Sequence, residues 1–330
     1  MKFGILDYGV IDEGQTAVDA LETTLALAKR ADSLGFHRFW VAEHHNLSAF
    51  AISAPEIVMA HLASQTQRIR IGSGGIMGLH YSPYKVAEIA RTLATLYPNR
   101  IDIGLGNSLG TTLVHQHLQS HYRSQEYGAW LEDLCAYLAD DKASIRATPT
   151  PPLVPDIFVL GTGGRSVHEA ARLELGFAYG SFPFIQQNPL ETAALLGKTY
   201  REQFPVSAQA KERLILALFV VIAETMELAE ELARPLDIWM LGKDDFNEFS
   251  RYPSIQTAQA YTLTEAEQAQ IAANRTRMLV GDLARVERSV NELVRVSGAD
   301  EVLFIPLLPT AEHRMKALEL LARIRIKEDN

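Results

Sequence analysis

Short runs rich in β-branched and aromatic residues alternate with longer helical patterns along most of the chain. The alternation predicts eight strands, each followed by a helix. Parallel neighbouring strands need crossover helices, so eight such units in 330 residues favour an α/β fold, a closed (β/α)8 TIM barrel, over an open doubly wound sheet. The predicted strands cover residues 3–7, 36–42, 69–76, 100–106, 156–160, 176–180, 214–223 and 301–305.

A single barrel domain over residues 1–330 accounts for the chain, with helices predicted over 16–34, 54–65 and 83–96. One region departs from the alternation. Between residues 242 and 265 the chain is polar and has no clear period. Because loops at the carboxyl ends of barrel strands surround the functional site, we interpret 242–265 as an insertion that acts as a lid.

Charge and composition exclude several classes of function. With 31 basic and 40 acidic side chains the net charge is −9, which argues against a nucleic-acid or anionic-membrane partner. The single cysteine, Cys135, excludes an internal disulfide and a Cys-rich metal site, and we expect an inert core thiol. The longest apolar run, 214–223, has half the length that a membrane span needs, and no signal peptide is recognisable. We expect a soluble, cytoplasmic protein.

The sequence Glu-His-His-Asn at 43–46 directly follows the second predicted strand. At a barrel mouth a histidine could act as base, hydrogen-bond donor or metal ligand, whereas the alternative is simple packing or solvation of the two rings. A metal site is disfavoured, because adjacent histidines rarely converge on one ion and no other strand end supplies a matching set. The His-Gln-His sequence at 115–117 lies well past the fourth strand and is also a weak metal candidate.

Glycines end the third and fourth predicted strands, in the sequences Gly-Ser-Gly-Gly at 72–75 and Gly-Leu-Gly-Asn at 104–107. Either run could be a simple turn. Two neighbouring strands with glycine at the same level would also form a broad floor, since the missing Cβ atoms let a flat ring lie against the backbone. Such a floor suits a planar cofactor.

The sequence Gly-Thr-Gly-Gly-Arg-Ser at 161–166 follows the fifth predicted strand and opens a helix. Free N–H groups at a helix start, with hydroxyls and an arginine nearby, can form a phosphate cradle, although glycine-rich turns of this kind are common. The sequence is not the dinucleotide fingerprint, because the required acidic residue does not follow. We expect Trp40, Phe182 and Phe184 to pack in the core or at the rim rather than stack on a cofactor.

Taken together, the segments resemble the bacterial luciferase-like flavin-dependent oxidoreductases over nearly the whole length. The resemblance rests on MKFGILDY at 1–8, GFHRFWVAEHHN at 35–46, the stretch SAPEIVMAHLASQTQRIRIGSGG at 53–75, YSPYKVAE at 81–88 and PNRIDIGLG at 98–106. It implies a (β/α)8 barrel, usually a homodimer, that binds reduced FMN or the deazaflavin F420 at its C-terminal face.

The resemblance also assigns site residues. It places His44 at the family's catalytic histidine, and the Gly74–Gly75 bond at a cis peptide beneath the flavin ring. It implies that three residues of the predicted cradle hold the cofactor phosphate, and that four further residues line the ring pocket. The phosphate residues are Thr162, Gly163 and Ser166, and the ring residues are Glu43, Gly106, Tyr179 and Ser181.

One position departs from the family. Many members carry an arginine after the fourth strand that pairs with the phosphate, and this chain has Asn107 there. An asparagine cannot supply the charge of a bidentate arginine–phosphate pair. Either Arg165 substitutes for it, or backbone amides hold the phosphate, or the affinity for the cofactor is low.

The implied activity is that of a monooxygenase using O2 and reduced FMN from a separate reductase, through a C4a-peroxyflavin, on an unidentified small organic substrate. Gly106 would leave room for the peroxide and His44 would hydrogen-bond it. With an ordinary pKa near 6.5, His44 would donate and accept protons near neutral pH. Two alternatives stay open, an F420-dependent hydride transfer and a flavin-binding protein without turnover. No metal is expected.

Overall fold

The computed structural model describes residues 1–118, 122–140, 145–185, 187–205 and 211–326. The strands are β1 (Lys2–Asp7), β2 (Arg38–Val41), β3 (Arg70–Ser73), β4 (Ile76–Met77), β5 (Ile101–Gly106), β6 (Asp156–Gly161), β7 (Gly176–Ser181), β8 (Leu214–Ala223), β9 (Met278–Asp282) and β10 (Glu301–Ile305). The helices are α1 (Ala17–Leu34), α2 (Pro55–Gln65), α3 (Pro83–Leu96), α4 (Thr112–Leu118), α5 (Tyr127–Leu138), α6 (Gly164–Arg172), α7 (Pro189–Gln203), α8 (Met226–Trp239), α9 (Ile255–Ala260), α10 (Glu265–Arg275), α11 (Leu283–Ser297) and α12 (Ala311–Leu321).

Eight parallel strands close into a barrel in the order β1, β2, β3, β5, β6, β7, β8 and β10. The ring closes because β10 pairs with β8 on one side and with β1 on the other. Each of the eight predicted strands coincides with one of these, so the predicted (β/α)8 barrel is confirmed. Within the described ranges no helix combines the length and apolar character needed to cross a bilayer.

Two strands were not predicted. The two-residue β4 follows Gly75 and pairs with the end of β5. Strand β9 pairs with the second half of β8, from Phe219 to Ala223, whereas the first half of β8 pairs with β10. All ten residues of β8 are buried, which fits a strand that is covered over its full length.

A buried network of charges ties strands together on the barrel. The Arg38 guanidinium lies 2.6 Å from Asp102 Oδ2 and 2.8 Å from Glu301 Oε2, which joins β2 to β5 and β10. The indole N–H of Trp40 also donates to Asp102, at 3.0 Å, and Trp40 is fully buried. The expectation that Trp40 is a core residue is therefore confirmed.

The segment 242–265 is folded against the loop that follows β2. It contains a short 3₁₀ turn, Lys243–Phe246, and helix α9. The Asn247 side chain donates to the Asn46 carbonyl at 3.0 Å, and Arg251 donates to the Ser48 carbonyl at 3.2 Å. The segment thus covers part of the carboxyl ends of the strands, and its action as a lid stays a prediction.

Candidate active site

A cavity of about 490 Å³ opens at the carboxyl ends of the barrel strands. Its walls differ on its two sides. Glycines line it on the side of β3, β5 and β6, and we call this part the glycine floor: Gly74, Gly75, Gly106 and Gly161. Aromatic side chains line the opposite side, and we call this part the aromatic wall: Tyr8, Phe50, Phe219, Trp239 and Phe246.

Most of the site residues implied by the family resemblance line this one cavity. They are Glu43, His44, Gly74, Gly75, Gly106, Asn107 and Thr162. Four others lie outside its lining: Gly163, Ser166, Tyr179 and Ser181. Within the last set, Tyr179 and Ser181 are buried, and their oxygens accept hydrogen bonds from Arg277 at 3.0 and 3.3 Å. Their assignment to the flavin ring stays a prediction.

Glu43 is the centre of a buried hydrogen-bond cluster at the edge of the cavity. Its Oε1 accepts from the Tyr81 hydroxyl at 2.6 Å and lies 2.6 Å from His45 Nε2, while its Oε2 accepts from the Met77 N–H at 2.8 Å. Burial and the bond to Glu43 raise the pKa of Tyr81 well above its ordinary value, so its hydroxyl stays a donor. Both Glu43 oxygens are therefore engaged with protein groups.

His44 has a different environment from its neighbour. Its ring packs against Tyr8 and Phe50, with ring centroids 4.7 and 4.8 Å apart, and its buried Nδ1 has no hydrogen-bond partner among the described residues. Burial, reinforced by His45, lowers the pKa of His44 to about 4. The expectation of titration near neutral pH is wrong, because the apolar rings disfavour the charged imidazolium. At neutral pH His44 is a neutral imidazole whose ring lines the cavity.

The glycine floor has the shape that a planar group requires. The Gly74–Gly75 peptide bond is cis, as the resemblance implied. A Cβ on Gly75 would lie 2.8 Å from the Gly104 carbonyl oxygen, so the backbone itself needs glycine there. A Cβ on Gly106 would meet nothing closer than the Ile76 carbonyl oxygen at 3.7 Å, and the space above it is open. The protein does not need glycine at position 106 for its own packing, but a ring lying on the floor would.

The predicted phosphate cradle forms the turn between β6 and α6. Gly163 lies just before the first residue of α6, and a Cβ on Gly163 or Gly164 would have no atom within 4 Å. Thr162 lines the cavity, Ser166 is buried on the first turn of α6, and Arg165 is exposed. The open turn at a helix start suits an anion, and its use by a phosphate stays a prediction.

Sequence reasoning missed most of the aromatic wall. Its rings come from the ends of β1 and α8, from the loop after β2, from β8 and from the 242–265 segment. Phe182 and Phe184 also line the cavity, where they stack on each other with centroids 5.6 Å apart, which agrees with the expected rim packing. A signal existed for Tyr8, because it directly follows the first predicted strand; Phe50 lies eight residues past the end of the second.

The histidines at 115 and 117 show no metal site. The His115 ring lies 6.3 Å from that of His80, and His117 bonds a backbone carbonyl of its own helix at 3.0 Å. Among the described residues no group of three or more potential ligands is arranged to hold a metal ion.

Burial raises the pKa of Cys135 to about 11, which keeps this thiol unreactive.

A comparison with known protein families includes the residues of this cavity. The family model for luciferase-like monooxygenases matches residues 1–302, which include the cavity's glycine floor and its histidines. The chain belongs to the luciferase-like monooxygenase family. The resemblance inferred from the sequence segments is thereby confirmed.

Two relatives match over nearly their full length. The N-acetyl-S-alkylcysteine monooxygenase of Bacillus subtilis strain 168 is 35% identical over 331 residues, which cover 96% of each chain. The crystal structure of apo-MsnO8 is 31% identical, with a TM-score of 0.89 over 99% of each chain.

More distant structures share the fold alone. The oxygenating constituent of 3,6-diketocamphane monooxygenase from Pseudomonas putida, solved with FMN, is 16% identical, with a TM-score of 0.74 over 98% of this chain and 97% of that one. An F420-dependent secondary alcohol dehydrogenase is 14% identical, with a TM-score of 0.68 over 98% of each chain.

Proposed function

We propose that the protein is a flavin-dependent monooxygenase that takes reduced FMN from a separate reductase and oxygenates a small organic substrate with O2. The observation that carries this proposal is the arrangement of the cavity. A neutral histidine, His44, lines the same cavity as a floor of glycines. A flat cofactor on that floor would share the cavity with His44.

The residues fit FMN better than a smaller cofactor. The glycine floor would take the ring, and Thr162, Gly163 and Ser166 would take the phosphate at the start of α6. Bound reduced flavin would supply two electrons for the reduction of O2, so that one oxygen atom enters the substrate and the other leaves as water. The luciferase-like monooxygenase family and the N-acetyl-S-alkylcysteine monooxygenase relative support an oxygenase, and a structure of the same fold was solved with FMN.

The protein's own contribution would be a dry and shaped site. The aromatic wall would exclude water from one side of the cavity, and the neutral ring of His44 would offer a hydrogen bond without carrying charge. Glu43 would act indirectly, because both its oxygens are occupied by Tyr81, His45 and the Met77 N–H.

Product formation under isotopically labelled oxygen tests the proposal. Purified protein is mixed with FMN, a flavin reductase, NADH and 18O2, together with a panel of thioethers, aldehydes and ketones. We expect one labelled oxygen atom in a product, and less product when His44→Ala replaces the wild type. Identical hydrogen peroxide yields with and without the protein, and no labelled product, would contradict it.

F420-dependent hydride transfer is the second enzymatic candidate, and one observation favours it. An F420-dependent secondary alcohol dehydrogenase shares the fold. The replacement of the usual arginine by Asn107 does not discriminate, because both cofactors carry an anionic phosphate tail. Absorption spectra of protein titrated with FMN and with F420 separate the two. A bound, reducible F420 and unbound FMN would replace our proposal, and a bound flavin whose oxidation the protein leaves unchanged would indicate a passive binding protein.

We also propose that the protein is a homodimer. Large apolar side chains are exposed on the first three helices, among them Val18 on α1, Ile57 on α2 and Leu96 on α3, with 65, 68 and 59% of their surface exposed. A dimer through helices of the first half would cover such side chains. Sedimentation at micromolar concentration should give twice 36.6 kDa, and a monomer would reject the dimer.

A further inference from the structure

The rings of the aromatic wall form one continuous surface. Tyr8 contacts Phe50 and Phe219, with centroids 5.4 and 6.0 Å apart, Phe50 contacts Trp239 at 5.4 Å, and Trp239 contacts Phe246 at 6.1 Å. The wall stands on the side of the mouth formed by β8, β1 and the loop after β2, away from the glycine floor on β3, β5 and β6. A ring on the floor would leave this wall for a second molecule.

The cavity contains no permanent cation. Among the described residues that line it, none is lysine or arginine. The charged groups that do line it are acidic, namely Glu43 at its buried edge and Asp245 at its exposed rim. The polar residues near the floor, such as Asn107, Thr111 and Thr162, are uncharged.

Two basic side chains of the 242–265 segment already have partners outside the cavity. Lys243 is paired with Glu267 and donates to the Tyr261 hydroxyl at 2.6 Å. Arg251 donates to the backbone carbonyl of Ser48 at 3.2 Å. Neither side chain lines the cavity.

An anionic substrate on the aromatic wall would therefore lose its hydration without gaining a counter-ion. The turn at the start of α6, which suits an anion, lies on the side of the glycine floor and would hold the FMN phosphate. Transfer of an unpaired carboxylate or sulfonate into an apolar site is strongly unfavourable, and Asp245 at the rim adds repulsion. An uncharged apolar molecule loses nothing polar and gains contact with five aromatic rings. We propose that the substrate is an uncharged, apolar small molecule that lies on the aromatic wall, and that carboxylates and sulfonates are rejected. This inference rests on the proposed monooxygenase function, of which it specifies the substrate class.

A pair of matched thioethers tests the inference. N-acetyl-S-benzylcysteine is an anion at neutral pH, and its N-methylamide has the same thioether and ring without the charge. Their dissociation constants are measured by calorimetry on wild-type protein, with and without oxidised FMN. With oxidised FMN bound, so that its phosphate occupies the α6 turn, we expect the amide to bind at least tenfold more tightly than the acid. Equal or tighter binding of the acid, or binding of neither compound, overturns the inference.

Substitutions in the lining test whether the preference for the uncharged ligand arises in the cavity. Leu47 is half-buried in the lining, so Leu47→Arg places a guanidinium there, and Leu47→Met is its uncharged control. We expect the arginine variant to reduce the preference for the amide at least tenfold and the methionine variant to keep it. Phe246→Ala should weaken binding of the amide about tenfold. If Leu47→Arg and Phe246→Ala, folded by circular dichroism, both retain the wild-type constants, the inference is wrong.

The binding measurements are independent of turnover. A failure of the proposed function would appear as the absence of labelled product from either thioether, whatever their affinities. A failure of the inference would appear as preferred binding or preferred oxygenation of the acid. The two outcomes are therefore distinguishable in the same protein preparation.

Discussion

Nε2 of His45 lies 2.6 Å from Oε1 of Glu43, whereas the adjacent His44 shares no side-chain hydrogen bond with that carboxylate. The two consecutive histidines therefore have separate roles. His45 helps to stabilise a buried carboxylate that also holds Tyr81 and the Met77 backbone. His44 makes no such bond, and its ring lines the cavity. We propose that His45 is structural and that His44 takes part in the chemistry.

Alanine replacements should separate these roles. His44→Ala should fold and bind FMN normally but lower turnover by about 10²–10³-fold, the scale for losing one hydrogen-bonding group at the reacting centre. His45→Ala should instead lower the free energy of unfolding by about 1.5–3 kcal/mol, the value for a hydrogen bond to a charged group. Urea unfolding and initial rates on both variants check this. Equal turnover in His44→Ala and wild type would remove His44 from the chemistry.

The pKa of His44 predicts a pH dependence of stability. Burial lowers this pKa from 6.5 to about 4 in the folded protein, so between these values the unfolded chain binds more protons. Stability from the neutral His44 is then complete above pH 6.5 and decreases as the pH falls toward 4. Urea unfolding at pH 7, 6, 5 and 4.5 should show a steeper loss for wild type than for His44→Gln. Parallel curves would show that His44 titrates normally.

The barrel was predictable from the sequence because its signals are local. Each strand and its crossover helix can be recognised within about thirty residues, and all eight barrel strands were found. Strand β9 was not predicted, since it is defined by its pairing with the second half of β8, which is distant in sequence. The polar composition of 242–265 predicts a break in the alternation of strands and helices. The composition of this segment does not predict that Phe246 lines the cavity.

The site was predictable only in part. The glycine floor and His44 directly follow predicted strands, so topology alone brings them to one end of the barrel. The pKa of His44 was not predictable, because it depends on Tyr8 and Phe50, which reach the ring from separate segments. The lack of lysine and arginine among the described lining residues likewise depends on the whole cavity and not on one motif.

Alanine substitutions at two glycines of β5 should have different effects. A Cβ at Gly104 would lie 2.1 Å from the Ser73 carbonyl oxygen, so Gly104→Ala should cost about 1–3 kcal/mol or more of stability through overpacking. Gly106→Ala meets only open space and should keep the stability of wild type while weakening FMN binding. Urea unfolding and flavin fluorescence titration measure the two effects. Unchanged FMN affinity in Gly106→Ala would mean that the ring does not lie on this floor.

Restoring the family's arginine should reveal how the phosphate is held. Asn107 lines the cavity beside the floor, so Asn107→Arg would supply a guanidinium within the site. A charged hydrogen bond contributes about 1.5–3 kcal/mol, so FMN should bind about tenfold to a hundredfold more tightly. Riboflavin, which lacks the phosphate, is the matched ligand and should bind the variant and wild type equally.

Arg165→Ala completes that experiment. If Arg165 replaces the missing arginine, Arg165→Ala should weaken FMN binding by the same factor. If the backbone at the start of α6 holds the phosphate, Arg165→Ala should change FMN binding little. The exposure of Arg165 and the open turn at Gly163 favour the second result. Equal affinities of wild type for riboflavin and FMN would show that this turn binds no phosphate, and then a gain in Asn107→Arg should be absent as well.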